Sequence, residues 1–286
     1  MLMDYLRLAT VASLALTSVA CGTTTQGTLH KGKEAAADLL LPPEQEEALG
    51  DQFSAELEKE ITLHPDPEVQ KYIQDLAVPI LRQARSEAPG IKFEIKVIQD
   101  DETVNAFAMA GGQLYFYTGL LLMADSEAEV IGVIGHEVAH VTERHIAEQL
   151  VASYGLQTVV GMALGENPGQ LAAMAAGVAG QGALLKFGRD QERQADDRGF
   201  EYVVKAGYDP GGMVTFFKKL AAKSASVPVF MSSHPDPAER AQKLQAKIGK
   251  LSSRPTKTGK GTYENFKKKL TASAPAPAAA EPAAAP

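Results

Sequence analysis

The sequence predicts an α+β domain that is mainly α-helical, with a small β-sheet beside one buried helix. Long segments repeat apolar residues at three- and four-residue spacing, whereas one short run alternates apolar and polar and a second reads as a strand. One apolar helix also carries His136-Glu137-Val138-Ala139-His140, and two imidazoles on a buried helix need a structural or chemical reason. The chain has 286 residues, enough for one domain of about 200 residues with a full core plus appendages.

Residues 1–20 are expected to be an export signal. Arg7 precedes an apolar stretch from Leu8 to Ala20 that is too short to span a bilayer. Ser18-Val19-Ala20-Cys21 resembles a bacterial lipobox, so Cys21 would be diacylated and residues 21–42 would be the lipidated cysteine and its tether, polar from Gly22 to Lys33. Gly22 after the cysteine, by resemblance to other lipoproteins, implies the periplasmic face of the outer membrane. A soluble exported protein and an uncleaved anchor remain the alternatives. The domain proper spans 43–248. Two amphipathic helices are expected at about Pro43 to Ile61 and Pro67 to Ala88, the second with Val69, Ile73, Leu76 and Ile80 on one side. Ile91 to Val97 alternates strictly and reads as a half-buried strand; Gln113 to Thr118 reads as another. Ser126-Glu127-Ala128-Glu129 is a capping box that opens the apolar motif helix.

Leu156 to Phe187 is rich in Ala, Gly and Met but is broken at Gly165-Glu166-Asn167-Pro168-Gly169, which predicts a helical hairpin rather than a membrane span. Covering a cleft, touching lipid and simply packing on the domain all remain open for it. A helix from about Arg189 to Ala206 and another around Gly211 to Lys223 follow. Residues 249–286 read as a basic, then Ala/Pro-rich disordered tail.

The motif carries the chemistry. At about 100° per residue, histidines four apart lie one turn apart on one face and can reach a single Zn²⁺, while Glu137 is placed to take a proton from a water activated by that ion. His145, nine residues from His136, would point about 180° away on a continuing helix and reads as a surface histidine. A catalytic zinc takes three protein ligands and keeps one position open. Glu192 and Asp196, four apart on a second helix, can supply the third ligand and an acceptor for the distal N–H of a ligating histidine. An ordinary charged, solvated helix is the plainer alternative, because Arg189, Asp190, Arg193, Asp197 and Arg198 surround them.

From Pro43 to Ile248 the chain resembles the HtpX-like and CAAX-prenyl-protease-type-1 peptidases, zinc metalloendopeptidases of the gluzincin type. The resemblance rests on Pro43-Glu44-Gln45-Glu46 with Gly50; Asn105-Ala106-Phe107-Ala108 with Gly111-Gly112 and Thr118-Gly119-Leu120-Leu121; the His136 to His140 motif; Glu192 to Asp196 with Gly199; and Ser233-His234-Pro235 with Arg240. It departs at Ala110, where proline is common. The resemblance implies a zincin-like domain with one Zn²⁺, His136, His140 and Glu192 as ligands and Glu137 as general base. It also implies that Asn105 to Ala108 form or lead into a sheet edge along the cleft, where an extended polypeptide can add as a strand. His234 and Arg240, arriving from another segment, are candidates for donating to an oxyanion. A neutral His234 can instead occupy the fourth zinc position as a latch, and a helix-surface role is the alternative for Arg240.

The net charge of −7 argues against nucleic acid as a partner. Lys247 to Pro286 holds eight Lys/Arg against Glu264 and Glu281, leaving about −13 before it; contact with anionic envelope polymers and a merely solvated run are both open for that stretch. The expected function is a zinc endopeptidase acting on misfolded or unassembled envelope proteins. The alternative is a chaperone or assembly factor for outer-membrane proteins with a structural or regulatory zinc.

Overall fold

A computed structural model describes residues 41–182 and 185–272. The expected signal, Cys21 and most of the tether lie outside the described residues, as does the Ala/Pro tract after Ala272.

Helices α1 (Pro43–Glu60) and α2 (Pro67–Glu87) both open on proline, whose missing N–H costs nothing in a first turn. Asp66 caps α2 by accepting from the Glu68 N–H at 2.8 Å. Strand β1 (Glu94–Ile98) follows, and the expected alternation holds: Ile91, Phe93, Ile95 and Val97 are buried, whereas Lys92 and Glu94 face water. Strands β2 (Ala106–Ala108) and β3 (Gln113–Tyr117) complete a sheet of order β1-β3-β2, parallel between β1 and β3 and antiparallel between β2 and β3. β2 is therefore an edge strand. The central strand β3 is buried along its whole length, as a strand flanked on both sides and packed on both faces must be.

A short α3 (Thr118–Met123) leads to α4 (Glu127–Thr142), the motif helix, in which every residue from Glu127 to Val141 is buried. Its start is the capping box in modified form. The Ser126 hydroxyl accepts from the Glu129 N–H at 3.3 Å, and the Glu129 carboxylate reaches back one residue further than usual, to the Asp125 N–H at 2.8 Å. Helix α5 (His145–Tyr154) follows after a sharp turn. The expected hairpin is present as α6 (Leu156–Ala163) and α7 (Pro168–Gln181). It packs on the domain through Val159, Met162, Leu171, Met174 and Val178, and Gln52 of α1 donates to the Ala163 carbonyl at 2.9 Å. Among the described residues no helix is long and apolar enough to cross a membrane.

Helix α8 (Arg189–Lys205) crosses α4 at close range because both carry glycine at the crossing. A side chain at Gly199 would meet the Gly135 backbone at 2.9 Å. That approach brings the first turns of α8 against the donor face of α4. Helices α9 (Gly211–Ala222), α10 (Pro228–Ser233) and α11 (Pro237–Ile248) close the domain around α8 and α4.

The expectation of a disordered tail from residue 249 is corrected by α12 (Lys260–Ala272), which buries Tyr263, Phe266 and Leu270. Phe266 stacks on Tyr72 of α2 at 4.1 Å, the Tyr263 hydroxyl donates to the Leu121 carbonyl at 2.6 Å, and Lys267 donates to the Ala124 carbonyl at 2.8 Å. Just before it, Ala128 of α4 donates its N–H to the Thr258 carbonyl at 3.0 Å. A basic stretch can fold when three apolar residues at helical spacing share one face and find a groove; here they lie at i, i+3 and i+7.

Candidate metal centre

Helix geometry alone sets His136 and His140 side by side on α4, with their Nε2 atoms 3.1 Å apart and both rings buried. The α4–α8 crossing then delivers Glu192: its Oε1 lies 3.4 Å from His140 Nε2 and its Oε2 lies 3.6 Å from His136 Nε2. His234, at the end of α10, places Nδ1 2.9 Å from Glu192 Oε1 and 3.4 Å from His136 Nε2. One donor atom from each of His136, His140, Glu192 and His234 falls within a common 4.8 Å. Three imidazole nitrogens and a carboxylate oxygen that converge in a buried cluster suit a borderline cation such as Zn²⁺. Glu137, from the same turn of α4, is buried beside them; its Oε1 is 3.7 Å from His234 Nε2 and makes no hydrogen bond among the described residues. A buried carboxylate oxygen without a donor is costly, and the donor set therefore fits a cation close by.

The electrostatics follow the packing. Burial pushes the Glu137 carboxyl above its ordinary value, even though His234 and His136 act against the rise. Burial likewise holds His140 well below its ordinary value, which keeps the ring neutral and able to donate a lone pair. For Glu192 burial acts upward, but the Arg240 guanidinium and His234 outweigh it and hold the carboxyl well below the usual carboxylate range. Burial also opposes the charged form of His234, yet Glu192 and Glu137 prevail and raise it.

Asp196, one turn after Glu192 on α8, sits where the sequence suggested: its Oδ1 is 3.1 Å from His136 Nδ1. Arg240 of α11 is neither a surface residue nor aimed into open space. Its guanidinium forks onto Asp196, with Nε to Oδ2 at 2.8 Å and Nη2 to Oδ1 at 2.6 Å, and Nη1 contacts Glu192 Oε2. The Phe217 ring lies 4.2 Å beneath it. The geometry makes it a clamp on two carboxylates of α8, and its Nη2 also lies 3.2 Å from both ring nitrogens of His136.

The Asn105 to Ala108 segment supplies the edge strand, but all four residues are buried. The Asn105 amide donates to the Gly182 carbonyl just after α7 at 2.8 Å, so the hairpin lies against this end of the sheet edge.

His145 is corrected outright. It is buried, and its Nδ1 lies 3.0 Å from His140 Nδ1. A placement 180° from His136 holds only on one continuous helix, whereas α4 ends at Thr142 and Arg144 adopts the left-handed conformation that starts α5 in a new direction. Phe187 was missed as well; its ring stacks on His140 with centroids 3.8 Å apart. A lone aromatic between two glycine-containing stretches offered no signal.

Residues 63–248 match the family described as Peptidase family M48. The chain belongs to this family. The chain is similar to a β-barrel assembly-enhancing protease of Yersinia pestis, 30% identical over 267 residues that cover 86% of this chain and 54% of that protein. It is similar to metalloprotease LoiP of Escherichia coli, 30% identical over 228 residues, 78% of this chain and 88% of LoiP. Metalloprotease YcaL of the same organism is 35% identical over 184 residues, covering 62% and 70%. The chain spans about half the length of the β-barrel assembly-enhancing proteases it matches. Membership of M48 bears out the expected resemblance, the metallopeptidase class and the mainly helical fold with a small sheet beside the motif helix. The M48 match ends at Ile248, so the strap formed by α12 lies beyond it.

Proposed function

We propose that this M48 protein is a zinc-dependent endopeptidase that cleaves unfolded or unassembled cell-envelope polypeptides, with His136, His140 and Glu192 holding one Zn²⁺. The observation that carries the reading is the convergence of four buried donor atoms within 4.8 Å beside an unbonded Glu137 oxygen. Zn²⁺, when bound, supplies a Lewis acid that polarises the scissile carbonyl and makes water acidic enough to lose a proton near neutrality. Glu137 takes that proton and returns it to the leaving amine. Asp196 holds the Nδ1–H of His136, and Arg240 holds Asp196 and Glu192 in register.

In this reading His234 would act as a latch that holds the ion together with the other three donors, supported by its Nδ1 lying among them. His234→Ala then raises basal cleavage of casein; a fall in kcat at unchanged zinc content would assign His234 to the oxyanion instead. The substrate class draws support from relatives named for enhancing β-barrel assembly. The setting is the periplasmic face of the outer membrane, reached through acylated Cys21, and mass spectrometry of the mature N-terminus tests it: an unmodified residue there removes the anchor.

The deciding experiment incubates the purified protein with unfolded casein, with and without a zinc chelator, beside Glu137→Gln. Cleavage abolished by both the chelator and the substitution is expected. Binding of unfolded protein with no chelator-sensitive cleavage would leave a capture factor as the reading.

A further inference from the structure

Two histidines of the donor cluster each have a second ring nitrogen, and the protein treats the two differently. His136 turns its Nδ1 to the Asp196 carboxylate. His140 turns its Nδ1 to another imidazole, His145, at 3.0 Å, with the rings inclined at 69°. The far nitrogen of that second ring, His145 Nε2, lies 2.9 Å from the Gln194 side-chain oxygen. Gln194 sits on α8 midway between Glu192 and Asp196, so one short stretch of helix addresses both histidines.

The turn that makes this possible is built. Arg144 stands at φ 64° and ψ 17°, a left-handed conformation that an L-residue rarely takes. Its side chain is held at the far end, with Nη2 donating to the Leu41 carbonyl at 2.5 Å and lying 3.3 Å from Glu46 Oε1. The chain therefore doubles back after α4, and His145 meets His140 from behind.

With the Gln194 side-chain oxygen facing the ring, the protons along the row take one arrangement. A carbonyl oxygen can only accept, so Nε2 of His145 must carry the hydrogen it donates to Gln194. A neutral His145 then has a bare Nδ1, which accepts the Nδ1–H of His140. His140 in turn has a bare Nε2, the nitrogen that faces His136 Nε2 and Glu192 Oε1. We infer that Gln194 and His145 are positioning residues for the metal centre: a neutral relay that locks His140 in the Nδ1–H form and aims its Nε2 lone pair at the cation. The inference rests on the reading of the cluster as a zinc site. It assigns a task to a buried histidine that stands outside the four-donor cluster. It also distinguishes the two ligating rings, one oriented by a carboxylate and the other by a neutral pair.

The test uses the full-length protein. Nitrogen-15 spectra of the histidine rings in the wild type, with zinc and after chelation, should show His140 protonated at Nδ1 and His145 protonated at Nε2. Zinc affinity, measured by competition with a chromophoric chelator, should fall about 10- to 100-fold in His145→Phe, which keeps the ring's bulk but accepts nothing. His145→Gln, whose amide oxygen can accept from His140, should recover most of that loss, and Gln194→Leu should show a smaller loss of the same kind. A shifted visible spectrum of the Co²⁺-substituted His145→Phe protein is expected, and thermal melting checks that the fold survives. A proton on Nδ1 of His145 in the wild type would overturn the relay, as would wild-type zinc affinity in a folded His145→Phe. If His145→Phe fails to fold, the wild-type spectra decide. A wild-type protein that binds no zinc would overturn the metal-centre reading itself, whereas zinc bound with the wrong tautomer at His145 would overturn the relay alone.

Discussion

The two ends of α4 bury carboxylates in opposite ways. At the N-terminal end, Glu127 accepts from the Tyr72 hydroxyl at 2.9 Å and the Tyr208 hydroxyl at 3.0 Å. Glu129 accepts from the Asp125 N–H, the Thr215 hydroxyl and Lys219. Every oxygen there has a donor, and the arrangement joins α2, α4 and α9. At the other end Glu137 is buried as deeply, but one of its oxygens has no hydrogen bond among the described residues. A carboxylate that serves structure is saturated. On the proposed reading of Glu137 as a general base, the lone pair left free is the one that takes a proton.

The comparison breaks most visibly at Glu137. Glu137→Gln should keep the fold and the metal and lower casein cleavage by about a hundredfold or more, since a general base supplies roughly 10² to 10⁴. Near-wild-type turnover by the pure variant would remove its role. Glu192→Ala should act on metal rather than on rate alone: zinc content after dialysis should drop because a ligand is missing. Full occupancy would move the third ligand elsewhere.

At the structural end the effects should be on stability. Tyr263→Ala removes a fully buried ring and its hydrogen bond to the Leu121 carbonyl, and a loss of about 3 to 5 kcal/mol by urea titration is expected. A loss below about 1 kcal/mol would show that α12 is not part of the cooperative unit. Glu127→Leu should cost less, about 1 to 3 kcal/mol, because it strands two tyrosine hydroxyls; unchanged stability would mean that the pair is solvated.

The smallest effect concerns pH. Lys219, at 2.6 Å, together with Lys267 lowers the Asp125 carboxyl below its ordinary value of 3.8. A group depressed in the folded state stabilises above its unfolded pKa and loses that contribution as pH falls through the folded one. Asp125 is largely exposed, so Asp125→Asn should cost at most about 0.5 kcal/mol at pH 7. The difference should fade as pH drops below about 4. A difference that persisted at pH 2 would have to arise from packing.

The sequence by itself determined what depends on neighbours along one chain segment. A helix places residues four apart on one face whatever it packs against, so His136 with His140, and Glu192 with Asp196, were legible before any fold was known. The capping box, the alternating strand at Ile91 to Val97 and the broken hairpin at Gly165 to Gly169 are local in the same sense. Tertiary structure decided what hangs on a change of direction or on contacts between distant segments. A left-handed Arg144 turns His145 from the surface into the row behind His140. The crossing at Gly135 and Gly199 sets Glu192 beside the histidines. Arg240, whose pattern allowed a surface helix, is drawn inside because two buried carboxylates on α8 need its charge. The basic stretch after residue 249 becomes α12 because Tyr263, Phe266 and Leu270 meet a groove formed by other segments. A helical period is a property of the backbone, whereas burial and charge pairing exist only once remote segments have been brought together.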